Sequence, residues 1–279
     1  MAVLTEHRLR IGDRAVTLLH GNAGWGECSL LPGYPCDRSA ARRAAEEAAA
    51  DGWPPAVRVS VPVNALVSGP DFAPDALVGF PAVKVKVGTI ADLRTVAAVR
   101  DAIGPGVALR VDANGAWDVD TAVDMIATLA RFAVELVEQP VASLDDLARV
   151  RRRVAVPIAA DECVRTVDDA RRLRAIGAAD AVVLKVQPLG GVRAALDVAS
   201  EAGVPAIVSS MMETSVGIAA GLALAAALPE LSYACGLATL SHLAGDVVHD
   251  PLVPVGGVLT VRRVEPDPEL LARYQEPSS

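Results

Sequence analysis

A lysine, an acid or a serine ends one short apolar run after another at a nearly constant interval, and that interval is what most constrains the fold. Lys86 to Asp112 and Asp112 to Glu138 are each 26 residues; Glu138 to Asp161 is 23; Asp161 to Lys185 and Lys185 to Ser209 are each 24. One strand, one helix and two loops occupy about that length, and about eight such units close a parallel barrel. The runs cover residues 59–65, 82–87, 107–112, 134–138, 157–161, 181–185 and 205–209, with a weaker one at 233–236. They are rich in valine and lack polar alternation at their centres, as strands buried on both faces do.

Helical patterns fill the gaps at residues 92–103, 118–131, 144–153, 167–176, 192–202 and 215–228. Asp118, Ser143 and Thr166 suit helix starts, and Gly104 and Gly177 suit helix ends. Unbroken alternation predicts an α/β fold, a modified TIM-like (β/α)-barrel. The rival doubly wound sheet lacks its GxGxxG after an early strand. Residues 1–56 fall outside the rhythm. Strands at 16–20 and 24–29 around an Asn-Ala-Gly turn, then a helix at 37–50, predict a small, shortened α+β capping domain. The Asp-Gly-Trp-Pro-Pro run from Asp51 marks its boundary. The barrel is expected over 57–245, with a C-terminal segment, 246–279, returning toward the cap.

The five polar strand ends Lys86, Asp112, Glu138, Asp161 and Lys185 would share one rim, the face where barrel active sites sit. Staves two and six of eight are opposed, so the two lysines would face each other across three acids. Lys84, two residues before Lys86, points to the same side. Lysine is scarce: 23 of the 26 basic residues are arginine. A desolvated lysine can exchange a proton near neutral pH and arginine cannot, so the three lysines mark places where an amine must do so. Codon bias is the plainer explanation and carries about even weight on that count alone. Three carboxylates without a basic neighbour raise one another's pKa, and a hard divalent cation, Mg²⁺ or Mn²⁺, relieves that conflict. A single acid at a strand end is usually a cap or an arginine partner; three in succession beside the only lysines are not explained that way. Such a site suits proton abstraction beside a carboxylate, with a lysine as base whose pKa is depressed toward the working pH.

The remaining composition narrows the partners. A net charge of -8 and an isoelectric point near 5.1 argue against nucleic acid and anionic membranes. The apolar stretch 216–228 is short of the ~20 residues a bilayer span needs. No basic region followed by an apolar core opens the chain, so a cytoplasmic enzyme is expected. Cys28, Cys36, Cys163 and Cys235 are widely spaced and read as reduced, mostly buried thiols rather than a zinc site.

Lys84-Val85-Lys86, Asp112-Ala113-Asn114, Glu138-Gln139-Pro140, Asp161-Glu162 and Leu184-Lys185 together resemble the muconate-lactonizing branch of the enolase superfamily. The match spans most of the chain; the ordered set is specific although each short motif is weak. RVDANGAWD from Arg110, VLKVQPLGGVRAAL from Val183, ETSVGIAAGLALAAALPEL from Glu213 and YACGLATL from Tyr233 resemble o-succinylbenzoate synthases of the actinobacterial type. The resemblance implies dehydration of 2-succinyl-6-hydroxy-2,4-cyclohexadiene-1-carboxylate to 2-succinylbenzoate in menaquinone biosynthesis. It implies Lys86 as base and then acid on one face, Lys185 as an electrostatic partner on the other, and Lys84 supporting the carboxylate oxygen. It assigns the metal to Asp112, Glu138 and Asp161, and outer support to Asn114 and to Glu162, the latter holding Lys185. Ser209, Ser210, Met212 and Glu213 would shape the succinyl pocket, with packing an equally good account of Met211 and Met212.

The chain departs from the family pattern in its cap. Only nine residues precede Arg10, where a full first strand and a loop over the site are usual, and the first barrel helix near 74–79 is very short. Cys163 stands where serine is common. Rival readings are an N-acylamino acid racemase or dipeptide epimerase of the same superfamily, which also needs a base on each face, a metal-free Schiff-base aldolase using Lys185, and a non-catalytic scaffold. The aldolase leaves three clustered acids without a purpose, and a scaffold would be expected to have lost one of the five groups. The sequence fits a small carboxylate substrate; it does not fix oligomeric state, and a monomer is compatible with it.

Overall fold

In the computed structural model, which describes residues 4–276, the strands are β1 (Thr5–Ile11), β2 (Arg14–Gly21), β3 (Gly24–Cys28), β4 (Ser60–Pro62), β5 (Asn64–Val67), β6 (Ala82–Lys86), β7 (Ala108–Asp112), β8 (Val134–Glu138), β9 (Ile158–Ala160), β10 (Ala181–Leu184), β11 (Ala206–Val208) and β12 (Val258–Thr260). The helices are α1 (Arg38–Glu46), α2 (Leu93–Ile103), α3 (Val119–Leu129), α4 (Leu144–Arg151), α5 (Val167–Ile176), α6 (Val186–Leu189), α7 (Val192–Ala202), α8 (Ser215–Ala227) and α9 (Pro268–Tyr274).

Strands β5 to β11 form one parallel sheet in sequence order. The weak eighth run does not form a ladder of its own. Instead Cys235 bridges Val63 and Gly236 bridges Ser209. The Cys235 amide donates to Pro62 and the Gly236 amide donates to Val208, so a single extended segment closes the ring between β11 and β5. This is the α/β barrel the spacing predicts, with a narrow last stave. The run at 59–65 splits: β4 pairs antiparallel with β12, and only β5 joins the barrel.

The helices begin and end where their caps dictate. Asp118, Ser143 and Thr166 accept from the amides of Thr121, Asp146 and Asp169, each filling an orphan donor of a first turn. Gly104 and Gly177 close α2 and α5 at φ +67° and +60°, where a side chain would be strained. The first barrel helix is reduced to a 3-10 turn at Pro74–Leu77. Helix α8 is apolar on every side and buried from Ser215 to Ala226, because it lies between the barrel and the cap. Fully buried side chains such as Leu109, Leu136, Leu173 and Leu184 each contribute about 1.5–3 kcal/mol.

The cap is a three-stranded antiparallel sheet, β1-β2-β3, with α1 packed on it. Strand β1 corrects the expectation of a missing first strand. Its inward residues Leu9 and Ile11 are fully buried, while the others are partly or fully exposed. At Gly26 a Cβ would lie 2.1 Å from the Ala45 carbonyl, so glycine is what lets β3 approach α1. The C-terminal segment lies against this sheet: Gln275 bridges Leu9, and the Glu276 amide donates to Arg8. Among the described residues no helix is long and apolar enough to cross a membrane. All four cysteines are free, but only Cys235 is fully buried; the other three are half-buried.

Candidate active site

The polar strand ends converge as one layer at the barrel mouth. In the sheet register Lys86 lies beside Asp112 and Asp112 beside Glu138. Asp161 follows β9 directly, and Lys185 follows β10 and opens α6. Period-two alternation puts Lys84 on the face of Lys86. Lys84 Nζ is 2.8 Å from Glu138 and 3.2 Å from Asp112; Lys86 Nζ is 2.6 Å from Asp112; Lys185 Nζ is 2.5 Å from Asp161. Each acid therefore has a basic neighbour after all, and that neighbour is always a lysine.

Burial and charge set the ionisation of this cluster. Burial raises Glu138, and the Asp112 carboxylate adds to it, so its pKa is pushed up to about 8 despite Lys84. Burial also works against ionised Asp112, but Lys84 and Lys86 outweigh it and hold Asp112 below the ordinary carboxylate range. Lys84, the lysine read as a support rather than the base, shifts upward: burial opposes its charge, and Glu138 and Asp112 overcome it. The three acids are almost fully buried, and among the described residues no histidine or cysteine side chain bonds to them. An all-carboxylate donor set of this kind suits a hard divalent cation. As placed, each carboxylate is held by an ammonium group, and among the described residues no three acidic, histidine or cysteine side chains converge on one point.

An inner cavity of about 70 Å³ is lined by Lys84, Lys86 and Lys185 together with Asn114, Ser209, Ser210, Met212 and Thr239. The acids lie behind the lysines. A larger groove of about 900 Å³ adjoins it and shares Leu31, Tyr34, Lys86, Asn114 and Met212. Asn114, Gln139 and Met212 have φ of +46°, +39° and +58°. Three left-handed non-glycine residues at one mouth is a concentration of backbone strain typical of functional sites.

The outlying residues sort less evenly. Asn114 accepts from Lys86 through Oδ1 and donates to Glu162 through Nδ2. Glu162 is thus tied to Asn114, and Lys185 is held by Asp161 rather than by Glu162. Ser210 shares a hydrogen bond with Thr239. Met211 is fully buried packing, whereas Met212 faces both cavities. Glu213 turns away from the mouth. It accepts from Gln187 and from the Met211 amide, and belongs to a buried network with cap residue Glu27, which accepts from Ser29, Thr214 and the Gly217 amide. A Cβ at Gly217 would lie 2.4 Å from Glu213 Cβ, so that glycine is required for the network to close.

Several residues at the site have no signal in strand spacing. Tyr34, on the cap loop, donates to Asp161 Oδ1 at 2.8 Å and lays its ring 3.9 Å from Lys185 Nζ. Gln139 accepts from the Asp161 amide and from Cys163, fixing the chain that carries the third acid. Gln187 accepts from the Ser29 amide and joins the cap to the turn after Lys185.

A closed barrel with acids between opposed lysines at its mouth defines an enzyme class, and the comparisons agree. Residues 71–267 match the family described as Enolase C-terminal domain-like. The muconate lactonizing enzyme of Pseudomonas putida superposes with a TM-score of 0.85 at 22% identity, covering 99% of each chain, which shows the shared fold. An o-succinylbenzoate synthase of Thermobifida fusca is 57% identical over 96% of this chain and 89% of its own length. Its counterpart in Mycolicibacterium smegmatis is 45% identical over 95% and 85%. The chain belongs to the enolase superfamily and, within it, to the o-succinylbenzoate synthase family, and is a lyase. Sites of this superfamily work with a lysine or histidine base and a divalent metal.

Proposed function

We infer that the chain dehydrates 2-succinyl-6-hydroxy-2,4-cyclohexadiene-1-carboxylate to 2-succinylbenzoate, as a cytoplasmic step of menaquinone biosynthesis. The observation that carries this reading is the unequal setting of the two lysines. Lys86 is 31% exposed and stands where both cavities meet, whereas Lys185 is 9% exposed and lies under the Tyr34 ring. Lys86 is open to the groove as well as to the inner cavity, whereas Lys185 reaches only the inner cavity, which suits a reaction whose proton transfers run on a single face.

Lys86 Nζ takes the proton from the carbon bearing the carboxylate. The same ammonium then returns a proton to the hydroxyl leaving the neighbouring carbon, so water departs and the ring becomes aromatic. Lys185 stays charged on the other face and offsets the negative charge that builds on the carboxylate, an electrostatic role that needs no transfer. Lys84 supports the carboxylate oxygen from below, and Asn114 holds Lys86 in line. Asp112, Glu138 and Asp161 are the residues that would hold the cation, Mg²⁺ or Mn²⁺, which supplies charge neutralisation at the substrate carboxylate.

A racemase or epimerase of the superfamily is the second reading, because both lysines line one cavity. Turnover assays with the cyclohexadiene carboxylate and with N-succinylamino acids separate the two. Metal-dependent water loss from the first is expected, abolished by EDTA and restored by Mg²⁺ or Mn²⁺. Activity confined to the amino acids would overturn the dehydratase reading.

A further inference from the structure

Among the described residues four cations are buried: Arg14, Lys84, Arg110 and Lys185. Three are ion-paired, Lys84 with Asp112 and Glu138, Arg110 with Glu135, and Lys185 with Asp161. Arg14, 7% exposed at the start of β2, has no such partner among the described salt bridges. Its one hydrogen bond runs from Nη2 to the Met211 carbonyl at 3.1 Å, and Nε and Nη1 have none. A buried guanidinium with two unpartnered nitrogens is costly to fold, and such costs persist where a ligand recovers them.

Its position says which ligand. Met211 lies between Ser210 and Met212, both of which line the inner cavity. Arg14 therefore stands directly behind the wall formed by the end of β11, on the cap side. The nearby acid, Glu213, makes no ion pair or hydrogen bond with it among the described contacts; its two oxygens accept from Gln187 and the Met211 amide instead. The inner cavity, about 70 Å³, is too small for a six-membered ring with a four-carbon acyl chain, so the substrate extends beyond it, into the adjoining groove of about 900 Å³ or past Met212 into the seam where Arg14 lies. Met212, an unbranched thioether held at φ +58°, is the yielding part of that wall.

We propose that Arg14 recognises the substrate's second carboxylate, the one ending the acyl side chain. This rests on the dehydratase reading above. A diacid would supply the acceptor that Arg14 lacks, in surroundings where the pair is poorly screened. A substrate without that group leaves the guanidinium unpaired and is rejected.

The test uses the full chain at saturating metal, with Arg14→Met and Arg14→Lys, the diacid substrate, and an analogue whose side-chain carboxylate is a primary amide. Arg14→Met is expected to raise KM for the diacid about 10- to 100-fold with kcat within about threefold. KM for the amide should stay unchanged, and Arg14→Lys should recover part of the loss. Thermal unfolding without ligand should occur at an equal or higher temperature in Arg14→Met, since the unused donors are gone. Equal changes for diacid and amide would sink the proposal. So would an unchanged KM with a lowered unfolding temperature, which marks a structural arginine satisfied by water. If wild type does not turn over the diacid, the dehydratase reading fails by itself. Equilibrium binding of 2-succinylbenzoate and its amide to wild type and Arg14→Met then decides Arg14 independently.

Discussion

Lys86 and Lys185 stand on opposed staves of one barrel, each bonded to a carboxylate, yet their surroundings differ. Lys86 meets Asp112 and Asn114 at the junction of two cavities. Lys185 meets Asp161, a tyrosine ring and a segment fastened to the cap through Gln187. The barrel supplies two lysines of equal chemistry; the cap loop, through Tyr34, covers one of them and leaves the other more exposed. A symmetric pair would suit exchange at both faces of a stereocentre, and an asymmetric pair suits elimination from one.

The largest effect expected is at the open side. With metal saturating, Lys86→Met should lower kcat for dehydration about 10³- to 10⁴-fold, the size of a lost general acid and base. Lys185→Met should cost about 10²- to 10³-fold, the size of one lost electrostatic donor. Steady-state turnover giving the reverse order would break the comparison. Lys185→Arg sharpens it, because arginine keeps the charge and cannot give up the proton. Dehydration should survive that change better than racemisation of N-succinylamino acids, and equal loss of both would count against the assigned roles.

Much of the barrel is readable from the chain because each stave repeats one rule. A buried parallel strand needs a valine-rich run, and its last residue reaches the mouth, so Lys86, Asp112, Glu138, Asp161 and Lys185 announce themselves by spacing. Caps at Asp118, Ser143 and Thr166 act within three residues and are equally plain. What escapes is whatever depends on the cap docking. Strand β1 carries only two fully buried residues among polar ones, so it has no valine-rich signature. Tyr34, Arg14 and Gln187 meet partners 127, 197 and 158 residues away, and no local pattern marks such contacts. Glu162 was legible as a supporting acid but not its partner, since choosing between Asn114 and Lys185 is a matter of ångströms.

The seam beneath the sealed lysine makes a prediction in pH. Burial, then the charge of Glu213, raises the Glu27 pKa to about 7, from an ordinary value of 4.5. A folded pKa above the unfolded one means the folded state binds the proton more tightly. The stabilisation is complete below about 4.5 and is lost as pH rises toward 7. A shift of that size corresponds to something on the order of 3 kcal/mol. Denaturant unfolding of wild type at pH 5 and pH 8 should show the loss, and Glu27→Gln should remove this contribution to it. Glu213 and Glu162 shift upward as well, so the wild-type slope need not vanish in the variant; it must shrink. An identical slope in both proteins would mean that Glu27 ionises freely and that the cap is not fastened by a protonated acid.

The smallest expected effect separates the two ways in which Tyr34 seals Lys185. Its hydroxyl donates to Asp161 and its ring covers the ammonium. Tyr34→Phe removes the first and keeps the second, whereas Tyr34→Leu removes both. A neutral hydrogen bond contributes about 1 kcal/mol, so Tyr34→Phe should change kcat/KM by no more than about fivefold. Asp161, no longer shared with the hydroxyl, should hold metal somewhat more tightly, which a titration of Mn²⁺ by its paramagnetic signal measures directly. If the ring is the seal, Tyr34→Leu should open the Lys185 face and raise solvent-deuterium exchange into N-succinylamino acids relative to dehydration, while Tyr34→Phe leaves that ratio unchanged. If both variants raise the ratio equally, the hydroxyl is the seal and the ring is packing. If neither raises it, the closed side of the site is closed by the barrel alone, and the contrast between the two lysines does not originate in the cap.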